Sequence, residues 1–174
     1  MSRSRIPVTV VCEDKQQAAF VRRFFKKRNI RIYTVTNTSG GAGDQFVRES
    51  YPKQLDAVRT QGGGLVAMID GDRYDLGERH KQMDEACTQT GIAPRAPGDN
   101  VAVLVPRRNI ETWFAYLEGQ EVDETTEYPK LGFERECRRH VDALWEMCSK
   151  NQKLRLPSPV SLQAACEEYR NLRL

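Results

Sequence analysis

The stretch Leu-Val-Ala-Met-Ile-Asp-Gly-Asp-Arg-Tyr-Asp, residues 65–75, decides the fold class of this 174-residue chain. Five apolar residues that end abruptly at acidic residues and a glycine are typical of a parallel strand buried on both faces. Residues 6–12 and 101–105 have the same character, since both are rich in valine and end at a polar residue or a proline. Residues 31–36 alternate polar and apolar side chains, which predicts a fourth strand nearer an edge.

Segments with the 3.6-residue period of helices separate these strands. They cover residues 15–28, 44–60 and 76–90, and the first has an apolar stripe opposite a row of cations. Strands that alternate with helices predict right-handed crossovers and a sheet that is covered on both faces. We therefore expect an α/β fold with a parallel sheet of about four strands and helices on both faces.

The chain after the last predicted strand has a helical pattern. Residues 109–117 and 134–148 have helical periodicity, and a further helix is expected near the end of the sequence. The length falls in the usual range of one domain. We expect residues 1–118 to form the α/β core and residues 119–174 to form a helical extension packed on that core, within a single structural domain.

Composition favours a cytoplasmic protein without membrane contact. The five cysteines, at positions 12, 87, 137, 148 and 166, are odd in number, widely spaced and mostly at apolar positions. This pattern argues against a disulfide framework and a secreted protein. No apolar run approaches the length of a membrane span, and the first one is too short for a signal peptide.

Positive charge is concentrated in the first part of the sequence. Residues 1–31 contain nine Lys or Arg and two acids, a local charge of +7, whereas the whole chain has a net charge of +3. Such asymmetry is expected of a protein that meets a polyanion with one face, although a solvated basic helix explains it almost as well. The candidate nucleic-acid contacts on the first helix are Arg22, Arg23, Lys26 and Lys27.

Acidic residues follow three of the predicted strands. Glu13 and Asp14 come after the first strand, Asp70 and Asp72 after the strand quoted above, and Glu111 in the helical turn after the last strand. The carboxyl ends of parallel strands meet at one edge of a sheet, where these charges would repel one another. Carboxylate oxygens are the ligands that Mg²⁺ prefers. The pattern predicts a site for Mg²⁺, or Mn²⁺, at this edge.

Each acidic residue also has an ordinary structural explanation. Asp after a strand is a common helix N-cap, and Glu in a first helical turn is favoured by the helix dipole. Three acidic strand ends in one small domain favour the metal site. Gly71, between Asp70 and Asp72, is interpreted as leaving room for a ligand.

Two further features are open to a phosphate-binding interpretation. Arg107 and Arg108 follow the last predicted strand, where their guanidinium groups would either hold a phosphate or lie in a solvated loop. The glycine-rich turn of residues 38–44 matches neither phosphate-binding fingerprint, so it is either a plain connection or a contact for DNA phosphates.

The order of these motifs resembles the TOPRIM domain, the metal-binding fold shared by topoisomerases, bacterial primases and OLD-type nucleases. A strand ending in Glu13 and a later strand ending in Asp70-x-Asp72 follow the family pattern, within roughly residues 6–118. The string Val-Pro-Arg-Arg-Asn-Ile-Glu-Thr-Trp, residues 105–113, is similar to the segment after the last strand in OLD-type and small stand-alone members. Asn109 and Glu111 would fill the two polar positions of that segment.

The resemblance implies a Mg²⁺-dependent nuclease. Glu13 would be a general base or a metal ligand, while Asp70, Asp72 and Glu111 would hold one or two ions. Nucleic acid would be the substrate, DNA in preference to RNA. The resemblance to stand-alone members also implies an ATPase protein partner and a role in phage defence.

The sequence departs from the family at several positions. Asp14 and Asp75 stand where topoisomerases and primases usually have glycine, which argues against those two activities and leaves these aspartates as supporting residues. The OLD-type branch supplies a later lysine, for which Lys130 and Lys153 are candidates without a clear match.

Two rival functions fit parts of the sequence. A receiver-like phosphoacceptor domain also uses two acids after its first strand and an aspartate after its third, and Glu13, Asp14 and Asp70 satisfy this. It further needs a Ser or Thr at the end of the next strand and a Lys after a fifth, whereas Val105 leads into proline. A non-catalytic binding or scaffold subunit would keep the fold and use its basic face or its helical tail.

Overall fold

A four-stranded parallel sheet forms the centre of the computed structural model, which describes residues 6–36, 41–132 and 134–174. The strands are β1 (Val8–Cys12), β2 (Ile32–Thr36), β3 (Gly64–Met68) and β4 (Val101–Leu104). Their order is β2-β1-β3-β4, and each neighbouring pair is parallel. The predicted fold class is confirmed, and every strand lies within two residues of its predicted bounds.

Helices connect the strands and make up the C-terminal part of the chain. In the described residues the α-helices are α1 (Lys15–Lys26), α2 (Gly43–Gln61), α3 (Leu76–Gln89), α4 (Ile110–Leu117), α5 (Arg138–Leu144) and α6 (Val160–Asn171). The prediction of one continuous helix over residues 134–148 is wrong. A 3₁₀ turn (Glu134–Cys137) precedes α5, and a π-helical segment (Trp145–Lys150) follows it. None of the described helices has the length and apolar content needed to cross a bilayer.

The two faces of the sheet have separate apolar cores. One core joins the sheet to α1, α4, α5 and α6, and the other joins it to α2 and α3. Val10 and Met68 face the first core, whereas Val11 and Ala67 face the second, as the period-2 geometry of a strand requires. Burial on both faces explains the continuous apolar runs of β1 and β3.

The chain diverges at the carboxyl ends of the two central strands. β1 and β3 are hydrogen-bonded neighbours. The helix after β1 packs on the first core, while the helix after β3 packs on the second. Because the two connections leave on opposite faces, the carboxyl ends of β1 and β3 form the topological switch point of the sheet, which we call the crevice. Open α/β sheets bind their ligands at such a point.

Helix α4, which follows β4 at this edge, is anchored by buried contacts. Trp113 is 1% exposed and its Nε1 donates a hydrogen bond to Ser161 Oγ at 2.8 Å. Glu124, from the acidic loop before α5, accepts hydrogen bonds from the backbone amides of Val160 and Ser161, both at 3.1 Å. The loop therefore caps α6, and α6 in turn fixes α4.

One cysteine pair departs from the expectation drawn from composition. Cys148, in the π-helical segment, and Cys166, on α6, have Cα atoms 5.6 Å apart and are joined as a disulfide. Both side chains lie on apolar surfaces that pack against each other in the first core, which brings them together. The remaining cysteines, Cys12, Cys87 and Cys137, are buried and not disulfide-bonded.

Helix α6 is also fastened to the edge strand β4. Glu168 Oε2 accepts a hydrogen bond from the Val103 amide at 2.9 Å and from Arg95 Nη1 at 2.5 Å. Arg95 Nη2 donates to the other carboxylate oxygen at 3.1 Å. In the part of the chain that the structure describes, β4 has no neighbouring strand on this side, and Glu168 supplies the acceptor that such a strand would offer.

Replacing Glu168 should therefore destabilise the fold. We expect Glu168→Ala to lower the free energy of unfolding by about 2 kcal/mol, because it removes the partner of a strand amide and of a partly buried arginine. Urea unfolding measures the effect. Glu167→Ala, on the exposed side of α6, is the matched control and should change stability by less than about 0.5 kcal/mol. Equal effects of the two changes would contradict this role of Glu168.

Candidate functional site

Two of the predicted acidic residues are in contact at the ends of β1 and β3, and a third lies at the same edge of the sheet. Glu13 directly follows β1, Asp70 follows β3 by two residues, and Glu111 lies in the first turn of α4. The Asp70 amide donates a hydrogen bond to Glu13 Oε1 at 2.7 Å. Burial is the largest cause of the raised pKa of Asp70, and the charges of Glu13 and Glu111 add to it. The structure therefore places Glu13 and Asp70 in contact and leaves Glu111 near Asp70, on the far side of Gln16.

Burial and negative neighbours disfavour the charged form of Glu13. Burial in the crevice is the largest cause, and together with the carboxylates of Asp72 and Asp44 it raises the pKa of Glu13 to about 7. The hydrogen bond from the Asp70 amide and the charge of Arg79 oppose this shift. A carboxyl group with a pKa near neutrality can both accept and release a proton at physiological pH.

Two glutamines of α1 hold the carboxylates in place. Gln17 is fully buried, and its side chain donates to Asp70 Oδ1 at 2.9 Å and accepts from the Glu13 amide at 2.9 Å. Gln16 Nε2 donates to Glu111 Oε1 at 3.0 Å, and the glutamate is only 4% exposed. Burial, followed by the charges of Glu13 and Glu111, raises the pKa of Asp70 well above its ordinary value. Neutral amides thus orient these acids without neutralising them.

Asp72 has a different environment from the other three acids. Its Oδ2 lies 3.0 Å from Nη2 of Arg79, its side chain is 60% exposed, and its backbone has a positive φ of 51°. Arg79 is 1% exposed and also bonds Asp44 Oδ2, at 3.2 Å. Partial burial acts to raise the pKa of Asp44, but the hydrogen bond and charge of Arg79 outweigh it and lower the pKa. Asp72 is thus paired with a buried cation.

The two supporting aspartates are helix caps. Asp14 Oδ1 accepts the amide of Gln17 at 2.8 Å and caps α1. Asp75 caps α3 in a capping box, in which Asp75 Oδ1 accepts the Glu78 amide and the Glu78 carboxylate accepts the Asp75 amide. The ordinary explanation of an acid after a strand therefore accounts for both residues.

The interpretation of Gly71 as space for a ligand is wrong. A Cβ at this position would lie 3.0 Å from the carbonyl oxygens of Pro106 and Tyr74, so the glycine is needed for close packing of backbone. The Gly71 amide donates to Pro106 O at 2.8 Å, and the Asp72 amide donates to Arg108 O at 2.7 Å. The loop after β4 therefore lies directly on the Asp-Gly-Asp turn.

A second glycine makes room for Glu13. A Cβ on Gly43, the first residue of α2, would lie 2.7 Å from Glu13 Cβ and 2.9 Å from Glu13 Oε2. The start of α2 therefore packs against the catalytic candidate. Of the glycine-rich turn of residues 38–44, residues 38–40 lie outside the described part of the chain.

The loop between β4 and α4 brings its polar side chains to the same edge. Asn109 Oδ1 is buried and has no hydrogen-bond partner among the described residues, although Asn109 is the N-cap of α4. Arg108 pairs with Glu127 at 3.4 Å. Arg107 is partly exposed and forms no hydrogen bond or ion pair with residues that the structure describes. Of the two arginines, Arg107 is thus the one whose guanidinium is not engaged by any described residue.

The basic residues of α1 lie apart from this edge. The helix starts beside Glu13 and runs away from it, so that Lys26 is about 16 Å along the axis from the first residue of α1 at a rise of about 1.5 Å per residue. Arg22 donates to Thr34 Oγ1 of β2 at 2.9 Å, and Arg23 is partly buried. Lys27 forms an ion pair with Asp142 of α5.

Neither candidate for the later lysine is joined to the carboxylates. Lys130 and Lys153 are exposed, and within residues 6–36, 41–132 and 134–174 their side chains make no hydrogen bond or ion pair with an acid. Lys153 is tied only through its backbone amide, which donates to Met147 O at 2.8 Å. The structure does not bring either lysine together with Glu13, Asp70 and Glu111.

Sequence reasoning missed the residues that arrange the acids. Gln16, Gln17 and Arg79 were not identified, and Asp44 was seen only as the end of a turn. A signal existed for two of them, because Gln17 and Arg79 occupy buried stripe positions of α1 and α3. A polar or charged residue at an apolar stripe position requires a buried partner.

The donor set has the chemistry that Mg²⁺ requires, but its ligands are not drawn together. Glu13, Asp70, Glu111 and Asn109 offer hard oxygen atoms, and the Asn109 oxygen is unpartnered within the described chain. Among the described residues no three His, Cys, Asp or Glu side chains form a group arranged to hold a metal ion. Mg²⁺ usually keeps several waters and binds one or two protein carboxylates, so an open arrangement is compatible with it.

Comparisons with family models, with curated proteins and with solved structures found no match to this chain.

Glu13 should make stability depend on pH. A carboxyl group whose pKa is raised in the folded state binds a proton more tightly there than when unfolded, so stability is lost as pH rises from about 4.5 to about 7. Glu13→Gln keeps the acceptor for the Asp70 amide but removes the charge. We expect the variant to gain about 1–3 kcal/mol over wild type at pH 8 and almost nothing at pH 4.5.

Urea unfolding at the two pH values, without divalent ions, measures this difference. Glu167→Gln, an exposed glutamate on α6, is the control and should follow wild type at both values. A constant difference between Glu13→Gln and wild type across this pH range would show that the Glu13 carboxyl has no raised pKa.

Proposed function

We propose that this chain is a Mg²⁺- or Mn²⁺-dependent nucleic-acid phosphodiesterase that acts on DNA in preference to RNA. The observation that carries the proposal is the contact of Glu13 with Asp70 at the ends of β1 and β3, where the charge of Glu111 also acts on Asp70. Like charges at close range disfavour one another, so bound protons or a cation must offset them. The same residues carry the sequence resemblance to TOPRIM nucleases of the OLD-type branch.

The roles of the residues follow from their contacts. Glu13, Asp70 and Glu111 would hold the ion, with Asn109 beside them. When bound, a divalent ion would supply an activated water and offset charge on the leaving oxygen. The Asp70 amide engages Oε1 of Glu13, which leaves Oε2 to accept a proton from water near neutral pH.

Arg107 is the candidate phosphate contact at the site. Its loop rests on the Asp-Gly-Asp turn through the hydrogen bonds of Gly71 and Asp72. A guanidinium that the protein does not engage can hold a phosphate through two parallel hydrogen bonds. The cations of α1 would extend the contact along a longer nucleic acid, since a duplex places one charge about every 1.7 Å.

A non-catalytic nucleic-acid-binding or scaffold subunit is the second candidate. The ion pair between Asp72 and Arg79 favours it, because it engages a carboxylate that the resemblance assigns to the metal. An ATPase protein partner and a role in phage defence rest on the resemblance alone. A receiver-like phosphoacceptor has less support: Asp14 is used as a helix cap, and the described residues contain no fifth strand.

Removing the charge of either central acid should abolish cleavage. We expect Glu13→Gln and Asp70→Asn to lower the rate of Mg²⁺- or Mn²⁺-dependent cleavage by about 100-fold or more, since the site loses charge where the reaction develops it. DNA affinity should stay within about 3-fold of wild type, because phosphate contacts supply most of it. Nicking of plasmid DNA measures the rate, and fluorescence anisotropy measures the affinity.

Asp75→Asn is the matched control for this experiment. Asparagine caps a helix about as well as aspartate, so this variant should fold and cleave as wild type does. Cleavage by both Glu13→Gln and Asp70→Asn at the wild-type rate would refute the enzymatic proposal. Wild-type protein that binds DNA without cutting it under any metal condition would support the scaffold candidate instead.

The two basic regions should contribute differently. Arg107→Gln is expected to slow cleavage by about 10-fold or more, because its phosphate contact would lie at the reacting group. Lys26→Gln should weaken DNA binding without changing the rate at saturating DNA, and each variant should reduce the slope of log affinity against log salt by about 1. A salt response that neither variant alters would exclude both residues as phosphate contacts.

A further inference from the structure

Arg79 donates hydrogen bonds to four oxygen atoms at the acidic edge. Its Nε donates to the carbonyl oxygen of Asp70 at 2.8 Å, and Nη2 donates to Asp72 Oδ2 at 3.0 Å. Nη1 donates to Asp44 Oδ2 at 3.2 Å and to Gln82 Oε1 at 2.8 Å. One guanidinium therefore links the end of β3, the start of α2 and its own helix.

The position of this guanidinium is fixed. Four of its five N–H groups have partners. The Tyr74 ring covers it, with the ring centroid 4.7 Å from Cζ. Only 1% of Arg79 is exposed, and burying a guanidinium to such a depth is costly unless acids are paired with it. Loss of this cation would leave Asp72 without its ion-pair partner and Asp44 with the more exposed Arg48 alone.

The acids at this edge fall into two groups with different partners. Glu13, Asp70 and Glu111 receive hydrogen bonds from amide groups, which are neutral. The remaining two acids, Asp44 and Asp72, share one buried cation. A single positive centre that bridges two carboxylates offsets their charges, as a second metal ion does in a two-ion nuclease site.

We propose that Arg79 is a built-in counter-ion that replaces a second divalent ion, so that the chain binds one ion, through Glu13, Asp70 and Glu111. The inference rests on the proposed metal-dependent function. Arg79 is a positioning residue in this arrangement: it holds Asp72 away from the ion and fixes Asp70 through its carbonyl oxygen. Asp72, which the sequence resemblance assigns to the metal, is then not a ligand.

Counting bound Mn²⁺ tests the inference without measuring activity. Electron paramagnetic resonance of free Mn²⁺ gives the number of ions per chain at saturation. We expect one ion in wild type and in Arg79→Lys, which keeps the positive charge. We expect two ions in Arg79→Met, because Asp44 and Asp72 become free to bind a cation. Arg48→Met is the matched control: Arg48 also pairs with Asp44, but it is more exposed, and the count should stay at one.

A second measurement keeps Arg79 intact, in case Arg79→Met does not fold. Asp72→Asn should change the dissociation constant for Mn²⁺ by less than about 5-fold, because Asp72 is expected to act only as an outlying charge. Asp70→Asn should weaken binding by about 10-fold to 100-fold. Asparagine is suited to the positive φ at residue 72, which limits any change of backbone.

The outcomes separate this inference from the proposed function. Three results would overturn the role of Arg79 and leave a metal-dependent enzyme. The first is two bound ions in wild type, and the second is an unchanged ion count in folded Arg79→Met. The third is a loss of Mn²⁺ affinity in Asp72→Asn as large as that in Asp70→Asn. Absence of bound Mn²⁺ from all of these proteins would overturn the metal-dependent function, and the inference with it.

Discussion

Repulsion between carboxylates at the carboxyl ends of β1 and β3 is the constraint on which the rest of this site depends. The protein offsets it with different partners. A backbone amide serves Glu13, the buried Gln17 serves Asp70, and the buried guanidinium of Arg79 serves the acids on the outer side. Neutral donors orient a negative charge without removing it. The three inner acids therefore keep their need for protons or a cation, and this need is the basis of the proposed chemistry.

The connections of the sheet place those partners. Helix α1 leaves β1 towards the first core, so its first turn presents two glutamines to the acids, while α3 leaves β3 towards the second core and presents Arg79. Asp14 and Asp75, the caps of these helices, fix where each helix begins. Each cap stabilises the turn that orients a side chain towards the crevice, so the two aspartates support the site through the backbone.

The sheet and the strand ends could be predicted because apolar runs and abrupt acidic stops are local signals. The partners of the acids are not local, since Arg79 meets Asp44 across 35 positions of sequence. Asp75 shows the same limit of local signals. An aspartate after a strand is used both as a helix cap and as a supporting residue of a site, so the sequence alone did not distinguish these two roles. The sequence indicated that position 71 needs a glycine. The cause is close packing against the backbone of residues 106–108, which lies near Gly71 only in the folded chain.

The contact between Glu168 and the Val103 amide makes the two borders of the sheet unequal. At β4 a carboxylate occupies a backbone donor that an incoming strand would use. At β2, the opposite border, no side chain from the described residues bonds the strand backbone, and Tyr33 is 52% exposed. Unpaired strand borders are where chains add further strands and where aggregation begins. Self-association of this protein through strand addition would therefore take place at the β2 border of the sheet and not at the β4 border.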